Sequence, residues 1–406
     1  MITKSLSSLS INISSGLTPL RSNEDYWENG NIPWLKTEQL GEKYIYDTNE
    51  KITKIALEKT SIKINPANTL SIAMYGEGRT RGSISIIKNN MATNQACCNV
   101  ALNSEKVDYE YAYYFLKTQY KELRNLSSGV RKNLNSNDIK NFEIRLPEEL
   151  KDQQKIAAVL SALDAKIELN NRINTELEAM AKTFYDYWFV QFDYPDQNGK
   201  PYKSSGGKMV YNETLKREIP KGWEDKELCD IANITMGQSP SGKSYNDAGE
   251  GKIFFQGSTD FGWRFPTVRQ FTTEPSRLAK QGDILLSVRA PVGTMNIADR
   301  DCCIGRGLAA LNSKGNYEGF LFYVMAYFKR LFDRRNSEGT TFGSITKDDL
   351  FSLKLAYPQV EQLEAFNKVV SGFNQTIFNN SKQNQQLTQL RDWLLPMLMN
   401  GQVTVK

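Results

Sequence analysis

The side chains of this sequence that could do chemistry are basic and amide residues, which occur in short polar stretches beside aromatic residues. Arginine pairs with the edge of guanine and asparagine or glutamine with that of adenine, while lysine and arginine neutralise phosphates. The candidates in the first half of the chain are Lys36, Thr37, Gln39, Tyr75, Arg79, Arg81, Asn94, Gln95, Arg131 and Lys132. Those in the second half are Gln256, Ser258, Arg264, Arg289, Arg306, Thr341 and Lys347. These residue types favour double-stranded DNA as a ligand, although any basic protein carries similar loops.

The sequence lacks the usual catalytic motifs. Its 406 residues include no histidine, which is the commonest general base and metal ligand. No phosphate-binding GxxxxGK[ST] segment occurs, and residues 31–34 (NIPW) and 76–82 (GEGRTRG) depart from the motifs of an adenine or cytosine methyltransferase. The chain is therefore predicted to bind rather than to catalyse, and to hold no metal and no cofactor of its own.

The composition is that of a mildly basic globular protein. The formal net charge is +5, which is compatible with a nucleic-acid partner. The five cysteines form no CxxC pair, so they are expected to be reduced and buried. No apolar run is long enough for a membrane span, and the first residues lack the apolar core of a signal peptide. These features predict a cytoplasmic protein.

Segments of the first half recur in the second half at offsets that change by small steps, as loop insertions and deletions would produce. The matched segments are residues 16–19 (GLTP) with 237–240 (GQSP) and 32–35 with 253–256 at an offset of 221, 69–74 with 283–288 at 214, Leu102 with Leu311 at 209, and Pro147 with Pro358 at 211. This alignment puts the two Cys-Cys pairs at different positions. A repeat of this length indicates a domain duplication.

Each half is expected to hold an α+β globular domain followed by a long helix. Short β-rich runs alternate with turns, a helix follows (residues 109–126 and 317–334), and an alternating strand closes each domain. The matched polar loops carry different residues on similar frameworks. Two related domains of this kind would read two different DNA half-sites.

Apolar residues at heptad spacing predict two long helices, over residues 147–188 and 358–398, each about 60 Å long. The middle of each seam carries two asparagines, which are Asn170, Asn174, Asn380 and Asn384. A buried amide beside leucine loses hydrogen bonds at a cost of about 1–3 kcal/mol, so these residues favour one register. Antiparallel packing would bring the four amides together, as would a parallel pairing in the same register. The alternative is that they face solvent.

These patterns divide the chain into five parts. They are a first globular domain at residues 1–147, a helix at 148–190, a connector at 191–220, a second globular domain at 221–358 and a second helix at 359–400. The connector is rich in Asp, Gly, Lys and Ser, which is typical of an extended linker, although its lysines could contact a phosphate.

Short motifs extend over essentially the whole chain. Besides the two openings at residues 16–19 and 237–240, they are 184–189 (FYDYWF), 192–195 (FDYP), 199–202 (GKPY), 204–207 (SSGG), 219–223 (IPKGW) and 303–308 (CIGRGL). With these motifs the chain resembles the DNA-specificity subunits of type I restriction-modification systems.

The resemblance implies two target-recognition domains separated by two antiparallel helices in a pseudo-two-fold repeat, and a bipartite asymmetric DNA target with an unspecified spacer. It implies two modification subunits as partners, which carry S-adenosylmethionine and methylate adenine N6. Restriction subunits, which use ATP and magnesium to translocate and cut DNA, are also implied. The chain itself would be non-catalytic. Large apolar residues off the helix seam, such as Tyr185 and Trp393, would either contact these partners or be buried within the chain.

Other functions stay open at this point. A standalone methyltransferase would bind S-adenosylmethionine as an isolated chain. A coiled-coil adaptor with no DNA role would show absent or salt-insensitive DNA binding in its complex. A specificity subunit of a different methylation-based defence system is a further alternative.

Inserting one heptad into each long helix is expected to lengthen the unspecified spacer of the DNA target, because helices of fixed length would hold the two domains apart. Sequencing the methylated sites in a cell that expresses the lengthened chain with its modification subunit measures the spacer. An unchanged spacer would contradict the role of the helices as a ruler.

Overall fold

The computed structural model describes residues 1–76, 78, 80–126, 133–337 and 344–405, with the backbone alone described at 331, 332 and 334–337. The chain forms two compact units. The first comprises Met1–Leu169 with Gln383–Lys406, and the second comprises Asn170–Lys382. Each unit therefore contains a globular α+β part and portions of both long helices.

The first unit contains ten strands and five short α-helices among the described residues. The strands are β1 (Ile2–Ser5), β2 (Ser10–Ser15), β3 (Ile32–Leu35), β4 (Tyr44–Ile45), β5 (Glu50–Ile52), β6 (Leu70–Ala73), β7 (Ile84–Ile87), β8 (Ala92–Thr93), β9 (Cys97–Leu102) and β10 (Glu143–Leu146). The helices are α1 (Leu6–Leu9), α2 (Lys54–Lys59), α3 (Tyr109–Thr118), α4 (Tyr120–Asn125) and α5 (Ser136–Asn141). The strands form sheets in the orders β2-β9-β6-β7-β4, β5-β3-β8 and β1-β10.

The core of the first unit lies between its largest sheet and α3. Strands β6 and β7 bury every residue, which explains their unbroken β-rich sequence, whereas β10 alternates exposed and buried residues. Asp108 caps the start of helix α3, because its carboxylate accepts the N–H groups of Glu110 and Tyr111 at 3.0 and 2.9 Å. The single helix expected over residues 109–126 is divided at Gln119.

The first long helix is α6 (Leu150–Tyr185), which a π-helical turn (Asp186–Val190) extends. The strands of the second unit are β11 (Met209–Asn212), β12 (Arg217–Pro220), β13 (Glu224–Glu227), β14 (Ala232–Met236), β15 (Tyr245–Asn246), β16 (Lys252–Phe255), β17 (Phe271–Thr272), β18 (Leu278–Ala279), β19 (Ile284–Ser287), β20 (Met295–Ile297), β21 (Cys302–Ile304), β22 (Leu308–Ser313) and β23 (Lys354–Tyr357). Its helices are α7 (Leu228–Ile231), α8 (Glu318–Ser337), α9 (Lys347–Phe351) and the second long helix, α10 (Val360–Met399). The sheets have the orders β14-β22-β19-β20, β15-β17-β16-β21-β18, β13-β23 and β11-β12.

The two units repeat one strand plan, which confirms the predicted duplication. The four strands β2-β9-β6-β7 correspond to β14-β22-β19-β20, the sheet β5-β3-β8 to β17-β16-β21, and the pair β1-β10 to β13-β23. In both units a middle strand pairs with one neighbour antiparallel and with the other parallel.

The strand registers correct two of the predicted offsets. Leu70 pairs with Val100 as Ile284 pairs with Leu311, so Leu311 corresponds to Val100 and not to Leu102. The prediction failed because β9 and β22 are both apolar along their length, so composition alone does not fix their register.

The second correction concerns the strand that precedes the first polar loop. Leu35 pairs with Thr93 as Phe255 pairs with Ile304, so Leu35 corresponds to Phe255 at an offset of 220. The offset of 221 predicted from the sequence match was therefore one residue too large. This single residue decides which loop side chains correspond, because successive strand residues point to opposite faces.

The Cys-Cys pairs lie on strands that do not correspond, as predicted. Cys97 and Cys98 are on β9, whereas Cys302 and Cys303 are on β21. All four side chains are buried and free of disulfide bonds. Burial raises the pKa of Cys97 to about 12, so the thiol stays protonated.

The predicted helix seams are confirmed. Every predicted seam position of both helices is buried or half-buried. In α6 these residues are Ile156, Leu160, Leu163, Ile167, Asn170, Asn174, Leu177, Ala181, Phe184 and Trp188. In α10 they are Leu363, Phe366, Val370, Phe373, Ile377, Asn380, Asn384, Leu387, Arg391, Leu394 and Leu398. The helices pack through these stripes.

The two helices are antiparallel. In the second unit Asn174 bonds to Asn380, and ten residues further along α6 the ring of Phe184 lies 6.4 Å from that of Phe373, which precedes Asn380 in the chain. The parallel alternative, which the asparagines alone did not exclude, is therefore wrong.

The seam asparagines are buried rather than solvent-facing. Asn170 and Asn174 are 0% and 2% exposed, and Asn380 and Asn384 are half-buried. The Asn380 Nδ2 donates to the Asn174 Oδ1 at 2.9 Å, and the Asn174 Nδ2 donates to the Ser381 Oγ at 3.4 Å. This pairing is consistent with the prediction that the asparagines favour one register, which stays a prediction.

The connector is folded, so the expectation of an extended linker is wrong. Strands β11 and β12 form a hairpin within it. Phe192 and Tyr194 are buried in the core of the second unit. The Asp193 carboxylate accepts the N–H and the hydroxyl of Ser204 at 2.7 and 2.8 Å. Its polar composition reflects turns closed by local hydrogen bonds.

Replacing Asn174 by leucine is expected to lower the free energy of unfolding by about 1–3 kcal/mol, because the amide of Asn380 loses its partner. Replacing Asn174 and Asn380 together by leucine should recover most of this loss, since two apolar side chains then meet in the seam. Scanning calorimetry of the two variants measures the difference. A double variant as unstable as the single one would show that the paired amides are not the cause.

Candidate nucleic-acid interface

Polar loops of the second unit meet at one edge of its sheets. The N–H of Gly305 donates to the carbonyl of Phe255 at 2.8 Å, and the N–H of Val288 donates to the carbonyl of Gly307 at 3.0 Å. The loops joined in this way, here called the second loop edge, are residues 237–240, 255–258, 288–289 and 304–307.

Side chains on the second loop edge form a hydrogen-bond network. The Gln256 Nε2 donates to the Ser239 Oγ at 2.9 Å, and the backbone N–H of Arg306 donates to the same oxygen at 3.3 Å. The side chains of Gln256, Arg289 and Arg306 are exposed. Three of the predicted DNA contacts, one amide and two guanidinium groups, therefore share one solvent-facing edge.

The first unit has the corresponding edge. The N–H of Asn94 donates to the carbonyl of Leu35 at 2.9 Å, and the N–H of Met74 donates to the carbonyl of Ala96 at 2.8 Å. The first loop edge, defined in this way, comprises residues 16–19, 35–39, 74–75 and 93–96. It brings together the predicted contacts Lys36, Thr37, Gln39, Tyr75, Asn94 and Gln95.

Corresponding positions of the two edges hold different polar residues. The corresponding pairs are Thr18 and Ser239, Lys36 and Gln256, Tyr75 and Arg289, Asn94 and Gly305, and Gln95 and Arg306. The backbone bonds are the same in both units, whereas the side chains differ in charge and in hydrogen-bonding groups. Such a pair of edges can recognise two different surfaces.

A glycine at the start of each opening motif allows the loops to approach. A Cβ at Gly237 would lie 2.2 Å from the carbonyl oxygen of Gly305, and a Cβ at Gly16 would lie 2.1 Å from that of Thr93. No side chain fits at either position. The matched openings GLTP and GQSP therefore mark a backbone contact that both edges need.

The charge of Lys36 is neutralised within the chain. Its Nζ lies 2.7 Å from a carboxylate oxygen of Glu38 and 2.6 Å from one of Glu50. The hydrogen bond with Glu38 raises the pKa of Lys36, and the hydrogen bond from Arg21 lowers that of Glu50. A phosphate has to compete with these carboxylates for Lys36.

The loop-edge candidates Thr37, Gln39 and Ser258 lie in short turns, and the other candidates lie elsewhere or outside the described residues. Thr37 and Gln39 form a 3-10 turn after β3, Ser258 begins the turn after β16, Arg81 is half-buried between β6 and β7, and Lys347 is the exposed first residue of α9. Arg79, Arg131, Lys132 and Thr341 lie outside the described residues.

Arg264 is not available to DNA, which corrects its prediction as a contact. Its side chain is 3% exposed. The guanidinium group lies 3.2 Å from the Glu178 carboxylate, donates to the Asn374 Oδ1 at 2.9 Å and stacks 3.8 Å from the centre of the Phe322 ring. Arg264 therefore joins the globular part of the second unit to α6 and α10.

Two hydroxyl residues of the edges were missed as candidates. The Thr18 hydroxyl donates to the Gln95 Oε1, and the Ser239 hydroxyl contacts the Gln256 amide. The sequence could have identified both residues, because they occupy the third position of the duplicated opening motifs. They hold the neighbouring amides in place and so belong to the candidate interface.

Within the described part of the chain, no group of three or more His, Cys, Asp or Glu residues could hold a metal ion. The helices found among those residues are all too short or too polar to cross a membrane.

Two α+β units with matching loop edges, built on one antiparallel pair of helices, define a class of duplicated recognition proteins. The family model for the type I restriction modification DNA specificity domain matches residues 6–179 and 220–389. The chain belongs to this family.

Curated relatives and a solved structure agree with this assignment. The chain is 33% identical to the putative type I restriction enzyme MjaX specificity subunit of Methanocaldococcus jannaschii, over 75% of this chain and 70% of that protein. It is 29% identical to the MjaIX specificity subunit of the same organism, over 97% and 91%. The S subunit of a type I restriction-modification system from M. genitalium has the same fold, with a TM-score of 0.65 at 19% identity, over 98% and 95% of the two chains.

Replacing Arg264 by glutamine is expected to destabilise the second unit by about 1–3 kcal/mol, because the carboxylate of Glu178 and the amide of Asn374 lose a buried partner. Replacing the exposed Arg306 by glutamine is the matched control and should leave unfolding unchanged. Thermal unfolding of both variants distinguishes the structural role of Arg264 from the exposed position of Arg306. Equal stability of both would contradict the structural role of Arg264.

Proposed function

We propose that this chain reads a bipartite, asymmetric sequence of double-stranded DNA, one half-site with each loop edge. The observation that carries the proposal is the pair of matching edges with different exposed polar residues. One backbone frame that presents Lys36 and Gln95 in the first unit and Gln256 and Arg306 in the second suits two different sets of base edges.

Within each half-site the polar side chains have separate tasks. Arg306 and Arg289 present guanidinium groups that suit the O6 and N7 atoms of guanine, and Gln256 and Gln95 present amides that suit adenine. Lysines such as Lys347 suit phosphates and set the salt dependence of binding. Lys36, already paired with two carboxylates, positions the loop more than it binds a phosphate.

As a specificity subunit the chain is a non-catalytic component, and the proposed partners supply the chemistry. Two modification subunits bind S-adenosylmethionine and methylate adenine N6 after flipping the base out of the duplex. Restriction subunits use ATP and magnesium to translocate and cut unmodified DNA. The assembly acts in the cytoplasm, where its DNA substrate lies.

One of the two large side chains off the helix seam is free for such partners. Tyr185 is buried in the core of the second unit. Trp393 is 60% exposed on α10. An exposed tryptophan is the type of residue that anchors protein interfaces. We infer that Trp393 contacts a partner subunit.

Methylome sequencing of a cell that expresses this chain with its modification subunit tests the proposed function. A bipartite N6-methyladenine motif is expected, and it should vanish when the chain is deleted. Exchanging residues 1–147 for those of another family member should change one half of the motif only. A motif that persists without the chain would overturn the proposal.

Replacing Arg306 by alanine is expected to relax the specificity for one base pair of one half-site, at a cost of about 1–3 kcal/mol in binding. Replacing Arg330 by alanine is the control, because this arginine is 47% exposed on α8 and its guanidinium lies 2.7 Å from the Asp186 carboxylate, which is not part of the loop edge. Binding of the assembled complex to a set of single-base variants of its target gives both values. Equal effects of the two substitutions would show that Arg306 does not contact the DNA.

A further inference from the structure

The second unit contains a cavity of about 630 Å³ that the DNA-binding role does not use. It lies between the start of α10 and the segment that follows α6. Its lining includes Trp188, Asp196, Tyr202, Glu361 and Gln362. The loop-edge residues are absent from this lining, so the cavity is a separate site.

One wall of the cavity is a fixed stack of aromatic rings. The Tyr202 ring is stacked on that of Tyr194 with centroids 4.8 Å apart and an interplanar angle of 14°, and Tyr194 is stacked in turn on Trp223 at 5.4 Å. The Tyr202 hydroxyl donates to the carbonyl of Lys208 at 2.9 Å. A Cβ at Gly207 would lie 2.5 Å from the Tyr202 ring. These contacts hold the ring in one orientation before any ligand binds.

The cavity offers hydrogen-bond acceptors on Gln362, Asp196 and Glu361, and the amide side chains of Gln197, Asn198 and Gln359 also line it. The Oε1 of Gln362 is buried and has no hydrogen-bond partner among the described residues. The Asp196 Oδ1 already accepts the N–H groups of Asn198 and Lys200, both at 2.8 Å. Glu361, an exposed residue, adds a second carboxylate to the lining. A buried acceptor without a donor is costly, so a ligand that donates hydrogen bonds is favoured.

The charge of the cavity excludes some ligands. Two carboxylates, Asp196 and Glu361, line it together with one ammonium group, that of Lys221. The net charge of these side chains is negative, which disfavours the phosphates of DNA. A cation with several donors and a flat face matches the acceptors and the rings together.

The duplication supports this assignment with a related cavity in the first unit. A space of about 330 Å³ lies at the start of α6, beside the segment that follows α10. Glu148, Glu149 and Asp152 line it, with apolar residues such as Leu398. The aromatic wall is particular to the second unit, whereas carboxylates line the cavity in both units.

We propose that the cavity at the start of α10 binds the guanidinium group of an arginine that a modification subunit presents. The guanidinium stacks on Tyr202 or Trp188 and donates to Glu361, Asp196 and the Gln362 Oε1. Lysine fits less well, because an ammonium group offers no planar face to the rings. The choice of partner rests on the proposed function, whereas the preference for a guanidinium rests on the cavity alone.

The test starts with the purified chain and a small probe, N-acetyl-arginine methylamide, followed by tryptophan fluorescence. Saturable binding is expected, and the neutral citrulline analogue should bind about tenfold more weakly, since it keeps the shape but loses the charge. Replacing Glu361 by glutamine should weaken binding of the arginine probe about fivefold. Glu364→Gln is the matched control, because Glu364 is exposed on the same helix and does not line the cavity.

The second measurement is the affinity of the chain for its modification subunit. Glu361→Gln should weaken assembly, and Glu364→Gln should not. No saturable probe binding, or equal binding of the arginine and citrulline probes, would overturn the cation site. Normal assembly of Glu361→Gln would overturn the modification subunit as its occupant. A bipartite methylation motif that persists in cells without the chain, together with intact probe binding, would instead count against the proposed function and leave the cation site standing.

Discussion

The seam between α6 and α10 is the constraint on which both units depend. In the second unit the rings of Tyr185 and Phe366 lie 6.3 Å apart inside the core. In the first unit Ile156, Leu160 and Leu398 belong to the same buried cluster as the sheet. Neither globular part has a complete core without side chains from both helices. Polar pairs across the seam, such as Asn174 with Asn380, select the one alignment that completes both cores.

Features with a regular period along the chain were predictable from the sequence. The heptad series and the duplication predicted the two long helices and the repeated strand plan. They left antiparallel and parallel packing of the helices as two options. Strand registers were harder to predict, because the residues of an apolar strand are too similar to distinguish neighbouring positions. The offset of 220 at Leu35 and Phe255 came from hydrogen-bond pairing alone. The exposed candidates Gln256, Arg289 and Arg306 were found because polar loops between apolar strands stand out.

Features that depend on distant residues were not predictable. Arg264 has the composition and setting of a DNA contact, but its partners Glu178 and Asn374 lie 86 and 110 residues away in sequence. The connector has the composition of a linker, but the stacking of Tyr194 on Trp223 becomes visible only in three dimensions. In both cases a tertiary contact overrides the local pattern.

The glycine contacts of the loop edges have a consequence for how this protein can change. Gly16 and Gly237 fix the path of the loops through backbone atoms, so that path does not depend on the exposed side chains of Gln256 or Arg306. Substitutions at these exposed positions leave the core untouched. Exposed positions of one edge can therefore change without altering the backbone frame, and independently of the other edge.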